Sequence, residues 1–180
     1  MPVIGVNESK DFFYIQNEQL AYASSINEVL KLYESAFDYI ELAGPCNLAP
    51  GIKATAEWVK NVAQSDNLFY GVLLIVTDGE VADMDATISA LVDASTLPMS
   101  ILIVGVGNKK FDDLNVLDGD AKRPKDKKGR TVARDIVQFS EYSKTISKGL
   151  VAFSEDLLAE LPSQIVEYFK MKNIKPVGTA

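Results

Sequence analysis

Histidine is absent from all 180 residues, and cysteine occurs once, as Cys46. No internal disulfide can form, the usual zinc-ligand sets are missing, and a chain with so little cysteine fits the cytosol. Without histidine the commonest general base is gone, and with it every Ser-His or Cys-His nucleophile pair, so any hydrolysis would have to run on carboxylates alone. No apolar run approaches the roughly 18 residues needed to span a bilayer, and the opening Met1 to Gly5 carries no basic region ahead of its apolar residues. The sequence therefore predicts a soluble chain without a secretion signal and without catalysis.

What is present suits one compact domain: 47% of residues are hydrophobic, and 180 residues are too few for two ordinary domains. The net charge is −7, yet six basic residues (Lys122, Arg123, Lys125, Lys127, Lys128, Arg130) crowd into one stretch with a single acid, Asp126. The rest of the chain is thus strongly acidic, which argues against a nucleic-acid-binding face. The basic stretch reads either as a solvated loop or as a local contact for phosphates or acidic partners.

Ser25 and Glu28 have the spacing of a capping box, and Ile26, Leu30, Tyr33 and Phe37 then line one helical face, which predicts a helix over 25–38. Pro50 suits the first turn of a second helix with Ile52, Ala56, Val59 and Ala63 on its apolar side. Val72 to Val76 is a continuous apolar run ending in Thr77, Asp78 and Gly79, the pattern of a strand buried on both faces. Asp83 or Asp85 caps the next helix, which must stop before Pro98, and Ser100 to Val106 forms the second buried strand of a βαβ unit. A short helix over 111–117, a short strand over 136–139 and a C-terminal helical segment over about 154–172 complete the reading, with Pro162 either kinking that segment or opening a new one.

In open parallel sheets, ligands bind beyond the carboxyl ends of the strands, which makes Asp78 the best-placed polar residue. It reads either as an ion-binding carboxylate or as the cap of the turn at Gly79. Glu80, Asp83 and Asp85 follow it as an acidic rim that serves equally for helix capping and surface charge. Gly105-Val106-Gly107 starts like a dinucleotide loop, but Lys110 stands where the third glycine belongs, and no P-loop pattern occurs anywhere. Asn7-Glu8-Ser9 after an apolar run imitates an Asp-x-Ser-x-Ser metal loop, except that Asn7 is neutral and Asp11 occupies the second serine position.

Three collinear blocks, VLLIVTDGEVADMD over 72–85, LPMSILIVGVGN over 97–108 and RDIVQF over 134–139, closely resemble the copine family. LDGD over 117–120 and LAELP over 158–162 extend the likeness across nearly the whole chain. The resemblance implies an α/β fold, a three-layer, Rossmann-like von Willebrand factor A domain with a mostly parallel central sheet over 1–180. Copines are intracellular proteins in which two C2 domains provide calcium-dependent phospholipid binding, and with it peripheral membrane association, while the A domain recruits protein partners. Only the A domain corresponds to these residues. Such domains hold Mg²⁺ or Mn²⁺ through an Asp-x-Ser/Thr-x-Ser loop, a threonine in a second loop and the aspartate of the Thr-Asp-Gly turn.

Carried over by residue, the resemblance makes Asp78 the metal ligand and places Pro45, Cys46, Asn47, Gly79, Glu80 and Asp83 at the partner-binding rim. Cys46 stands where the family has threonine, and its sulfur is a poor ligand for magnesium. Pro2 to Val6 resembles the family's second strand and Phe12 to Ile15 its third, so the first strand and first metal loop are expected to be missing, leaving the domain N-terminally incomplete and any metal site degenerate. A seam beside Val72 to Val76 would then favour self-association, as a homo-oligomer or by recapture of an upstream segment. The expected function is protein recognition, without nucleic acid and without direct membrane insertion. Two rivals are the A domain of a RING-type ubiquitin ligase, whose zinc segment a single cysteine cannot supply, and a nucleotide- or phosphate-binding α/β protein.

Overall fold

The computed structural model describes residues 23–38, 46–119 and 122–175, and the chain divides into two compact units, Met1–Pro45 and Cys46–Ala180. The expected strands over 2–6 and 12–15, the metal-loop imitation around Asn7, and Gly44 and Pro45 lie outside the described residues. In the first unit the described element is helix α1, Ile26–Ala36. Ser25 caps it as its spacing predicts, accepting the Glu28 N–H at 3.3 Å. The Glu28 carboxylate answers one residue further out than the usual box, taking the backbone N–H and the hydroxyl of Ser24, each at 2.7 Å. The predicted apolar stripe is present, and Ile26, Leu30, Tyr33 and Phe37 are all exposed along it.

The second unit runs α2 (Ala49–Ser65), β1 (Gly71–Thr77), α3 (Met84–Ala94), β2 (Met99–Gly105), α4 (Asp112–Asp118), β3 (Val137–Glu141), α5 (Tyr142–Ile146), α6 (Leu150–Leu157) and α7 (Leu161–Met171). The three strands expected over 72–76, 100–106 and 136–139 fall on the observed strands to within a residue or two, and Pro162 opens α7 as a separate helix after α6. Among the described residues the sheet is three-stranded and parallel, in the order β1-β2-β3. Register sets Leu73 beside Ile101 and Ile101 beside Val137, and it carries Thr77, Gly105 and Glu141 to the same edge.

Alternation along the strands divides the sheet into two faces. Leu73, Ile75, Ile101, Ile103 and Val137 meet Ile52 and Val59 of α2, Leu91 of α3, and Leu114 and Leu117 of α4 in one core. The opposite face carries α6 and α7 over β2 and β3. Every residue of β2 is buried, as its unbroken apolar run requires. Helices on both sides of a parallel sheet give the Rossmann-like three-layer α/β arrangement expected of an A domain.

The strand β1 departs from expectation. It is half-buried on the face of Leu73 and Ile75 and open on the other, where Val72, Leu74 and Val76 are 48%, 56% and 61% exposed. The reason lies in helix placement: α2 covers the side of Leu73 and Ile75, whereas α6 and α7 sit over the neighbouring strands. A continuous apolar run thus records what the strand is suited to bury, and not what these residues bury against one another.

Among the described residues the largest fully buried side chain is Arg134, in the connection leading to β3. Its Nη2 donates to the Leu97 and Met99 carbonyls, both at 2.6 Å, and its Nη1 donates to the Tyr70 hydroxyl at 3.1 Å and the Gln164 carbonyl at 3.3 Å. Its guanidinium lies 5.7 Å and 5.4 Å from the ring centres of Tyr70 and Tyr168, within cation–π range. Arg134→Met would remove the side-chain donor from each of those carbonyls in a buried site, and a loss of about 3 kcal/mol in urea-induced unfolding is the expected result. Arg134→Lys should restore only part of it, since one ammonium cannot span both carbonyls and stack between two rings.

Candidate functional site

The parallel register delivers the loops after β1 and β2 side by side at the carboxyl edge of the sheet, and the Val106 N–H donating to the Thr77 carbonyl at 2.8 Å ties them. Thr77 is buried, and its hydroxyl accepts the Gly79 N–H at 3.3 Å, closing the turn that projects Asp78 outward. Gly79 has φ +107°, and a Cβ there would stand 2.5 Å from the ring of Phe111. Only glycine fits both conditions. Phe111 in turn covers Gly105 and packs against Phe139 at a ring-centre distance of 5.6 Å, so an aromatic lid seals the core beneath the loops.

Asp78 itself is exposed, and its Oδ2 lies 2.8 Å from the Lys109 ammonium, which also stands 3.7 Å from Glu80 Oε2. The hydrogen bond from Lys109, and then its charge, hold the Asp78 carboxyl below the ordinary aspartate range, while the Asp78 hydrogen bond and charge raise Lys109 above the usual lysine value. Beside this pair an open hollow of about 390 Å³ is lined by Gly79, Glu80, Lys109, Lys110, Asp112 and Asp113.

The sequence-predicted site residues separate into two groups. Cys46, Asp78, Gly79 and Glu80 come together at this edge: the Cys46 sulfur lies 3.6 Å from the Thr77 hydroxyl, and the Cys46 carbonyl accepts the Ala82 N–H at 2.9 Å. Asn47 follows Cys46 in the same loop and is engaged there by an interaction of its own. Asp83 points elsewhere. Its carboxylate accepts the Leu48 and Ala49 N–H groups at 2.9 and 3.0 Å, so it caps α2 as well as receiving the Thr87 hydroxyl at 2.9 Å from its own helix. Asp85 also leaves the rim, pairing with Lys127 at 2.6 Å.

That last contact belongs to a strap formed by the basic stretch. Arg130 reaches Asp93 of α3 at 2.6 Å and Asp126 at 2.8 Å, around a turn at Gly129 with φ +81°. The loop's charge is therefore spent in part on the acidic side of α3, which favours the structural reading of the stretch over a phosphate site. Lys109 and Lys110 are what sequence reasoning missed, with Lys110 weighed only as the breaker of a glycine motif and Lys109 not at all. The available signal was the parallel pairing itself, which places whatever follows Gly107 next to whatever follows Thr77.

The divalent ion that the resemblance implies asks for a near-octahedral set of oxygens. Among the described residues no group of three or more Cys, Asp or Glu side chains stands close enough to hold a metal. Asp78 brings one carboxylate that already faces an ammonium, and its neighbour across the loop is a thiol. This donor set does not suit Mg²⁺.

Gly79→Ala should destabilise by about 2 kcal/mol in chemical denaturation, from strained backbone together with the collision at Phe111. In a carboxyl-carbon NMR titration Asp78 should change charge below the ordinary aspartate midpoint, and Lys109→Met should move that midpoint upward. Because the folded-state value is depressed, the pair's contribution to stability is present above the unfolded value and is lost as pH falls through the folded one. With both side chains more than half exposed, that contribution is small.

Against known proteins, a family model described as Copine matches residues 4–177. Copine-C of Dictyostelium discoideum is 40% identical over 154 residues, covering 86% of this chain and 28% of that protein. Protein BONZAI 1 of Arabidopsis thaliana is 42% identical over 154 residues, covering 84% of this chain and 26% of its own length. The chain thus spans about a quarter of the length of each of these curated relatives, and over that span it belongs to the copine family.

Proposed function

We propose that this chain is the protein-recognition module of a copine-like protein, acting in the cytoplasm and binding partners through the carboxyl edge of its sheet without turning them over. The observation that carries this reading is the charged hollow at Gly79, where loops from two strands meet on a base held rigid by Phe111 and by the Asp83 cap. Rigid support beneath exposed, mixed charge suits a surface that selects partners by electrostatic fit. The absence of histidine from the sequence and the commitment of Asp78 to Lys109 both weigh against acid-base chemistry there. Calcium-dependent phospholipid binding, by resemblance, belongs to C2 domains outside these 180 residues. Among the described residues no helix is long and apolar enough to cross a membrane.

The test compares proteins retained from a cytosolic extract by the chain and by a Glu80→Ala, Lys109→Ala, Lys110→Ala variant with an unchanged unfolding midpoint. Specific partners should be lost by the variant, and identical retention would overturn the placement of the binding face. Phosphatase, esterase or peptidase turnover abolished by Asp78→Ala would overturn the non-enzymatic reading.

A second reading, self-association, is favoured by the exposed Val72, Leu74 and Val76 of β1. Light scattering over a dilution series should find mass rising with concentration, and Leu74→Lys should suppress the rise. A concentration-independent monomer would remove this reading.

A further inference from the structure

The divalent ion implied by the fold and the donors present at Asp78 disagree, and the side chain responsible is Lys109. We propose that the Lys109 ammonium is the resident cation of the Asp78 site, tethered where a divalent ion would have to bind, so that the recognition face works without metal. This deepens the reading of that edge as the binding face and rests on it.

Two carboxylates converge on the one ammonium, Asp78 at 2.8 Å and Glu80 at 3.7 Å. The convergence is built by the backbone. Thr77 and Gly105 are register partners, Val106 is bonded to Thr77, and Gly107 turns the chain with φ +92°, which brings Lys109 back across the tip of β1. Asp78 and Glu80 flank a glycine whose conformation no other residue shares easily, so both carboxylates stay on the side from which Lys109 arrives.

Among the described residues, Thr77 beside Asp78 offers an incoming ion little. The Thr77 hydroxyl already accepts the Gly79 N–H and has a thiol, not an oxygen, at 3.6 Å. An ion seated on Asp78 would lie within a few Å of the ammonium or would have to displace it. Even in a water-like dielectric, two unit charges about 4 Å apart repel by an amount equal to roughly five-fold in affinity, and a divalent ion doubles the exponent. The bland alternative is an exposed ion pair of no consequence, since such pairs add little to stability. The two differ in what happens to metal when the lysine is removed.

Mn²⁺ alone is the probe, followed by electron paramagnetic resonance and calorimetry on the whole chain, with unfolding midpoints recorded for every variant. Lys109→Met should bind Mn²⁺ at least about five-fold more tightly than the parent. Lys109→Arg, which keeps the charge, should stay with the parent, and adding Asp78→Asn to Lys109→Met should abolish the gain. A change smaller than five-fold, whether parent and Lys109→Met both bind tightly or neither binds, overturns the proposal, as does a gain that survives Asp78→Asn. No partner enters this titration, so its failure leaves the recognition reading standing, and a failed partner experiment leaves the titration valid.

Discussion

A guanidinium buried without a carboxylate is the constraint around which the sheet is arranged. Arg134 is fully enclosed, and its two terminal nitrogens reach the carbonyls of Leu97 and Met99 where β2 begins and the Gln164 carbonyl in α7, between two tyrosine rings, while its Nε has no partner among the described residues. Burying a charge is tolerable only when most of its donors are used, and here four of the five groups that Nη1 and Nη2 bond lie far from it in sequence. Strand β2 therefore enters the sheet at a fixed height, with α7 held against it. That same seven-residue strand ends at Gly105, and the loop carrying Lys109 follows from there. The interior contact at one end of the sheet sets the geometry of the face at the other.

The functional edge is an exercise in charge placement. Acids stand at 78, 80, 112 and 113, lysines at 109 and 110, and the strap from Lys127 and Arg130 engages the far side of α3. A chain of net charge −7 thus shows a mixed field where the loops after β1 and β2 converge. Like-charged partners are not repelled outright there, and selection depends on local matching of signs.

Helices and strands were legible because their signals are local: the Ser25 cap, the proline at position 50, and the apolar runs before Asp78 and through Gly105 each name an element without help from the rest of the chain. Burial was less legible. An apolar run says that a strand suits two covered faces, but coverage is decided by where helices go, and β1 has one face open. The site was half legible for a similar reason. Asp78 and Gly79 announce themselves by following a strand, whereas Lys109, 31 residues on, acquires meaning only through register. Asp83 carried the opposite risk: its position in an acidic run suggested surface chemistry, and the backbone N–H groups that claim its carboxylate come from a segment 34 and 35 residues earlier.

That Asp83 cap gives the molecule a mechanical linkage. One carboxylate grips the first turn of α2 with both oxygens while its own backbone begins α3, and the hydroxyl of Thr87 steadies it from one turn further along. The starts of the two helices are pinned at a common pivot, and Cys46 and Asn47 hang from it on a lead of one or two residues. One carboxylate thus sets where both helices begin and, through them, where the loop of Cys46 and Asn47 lies beside Thr77.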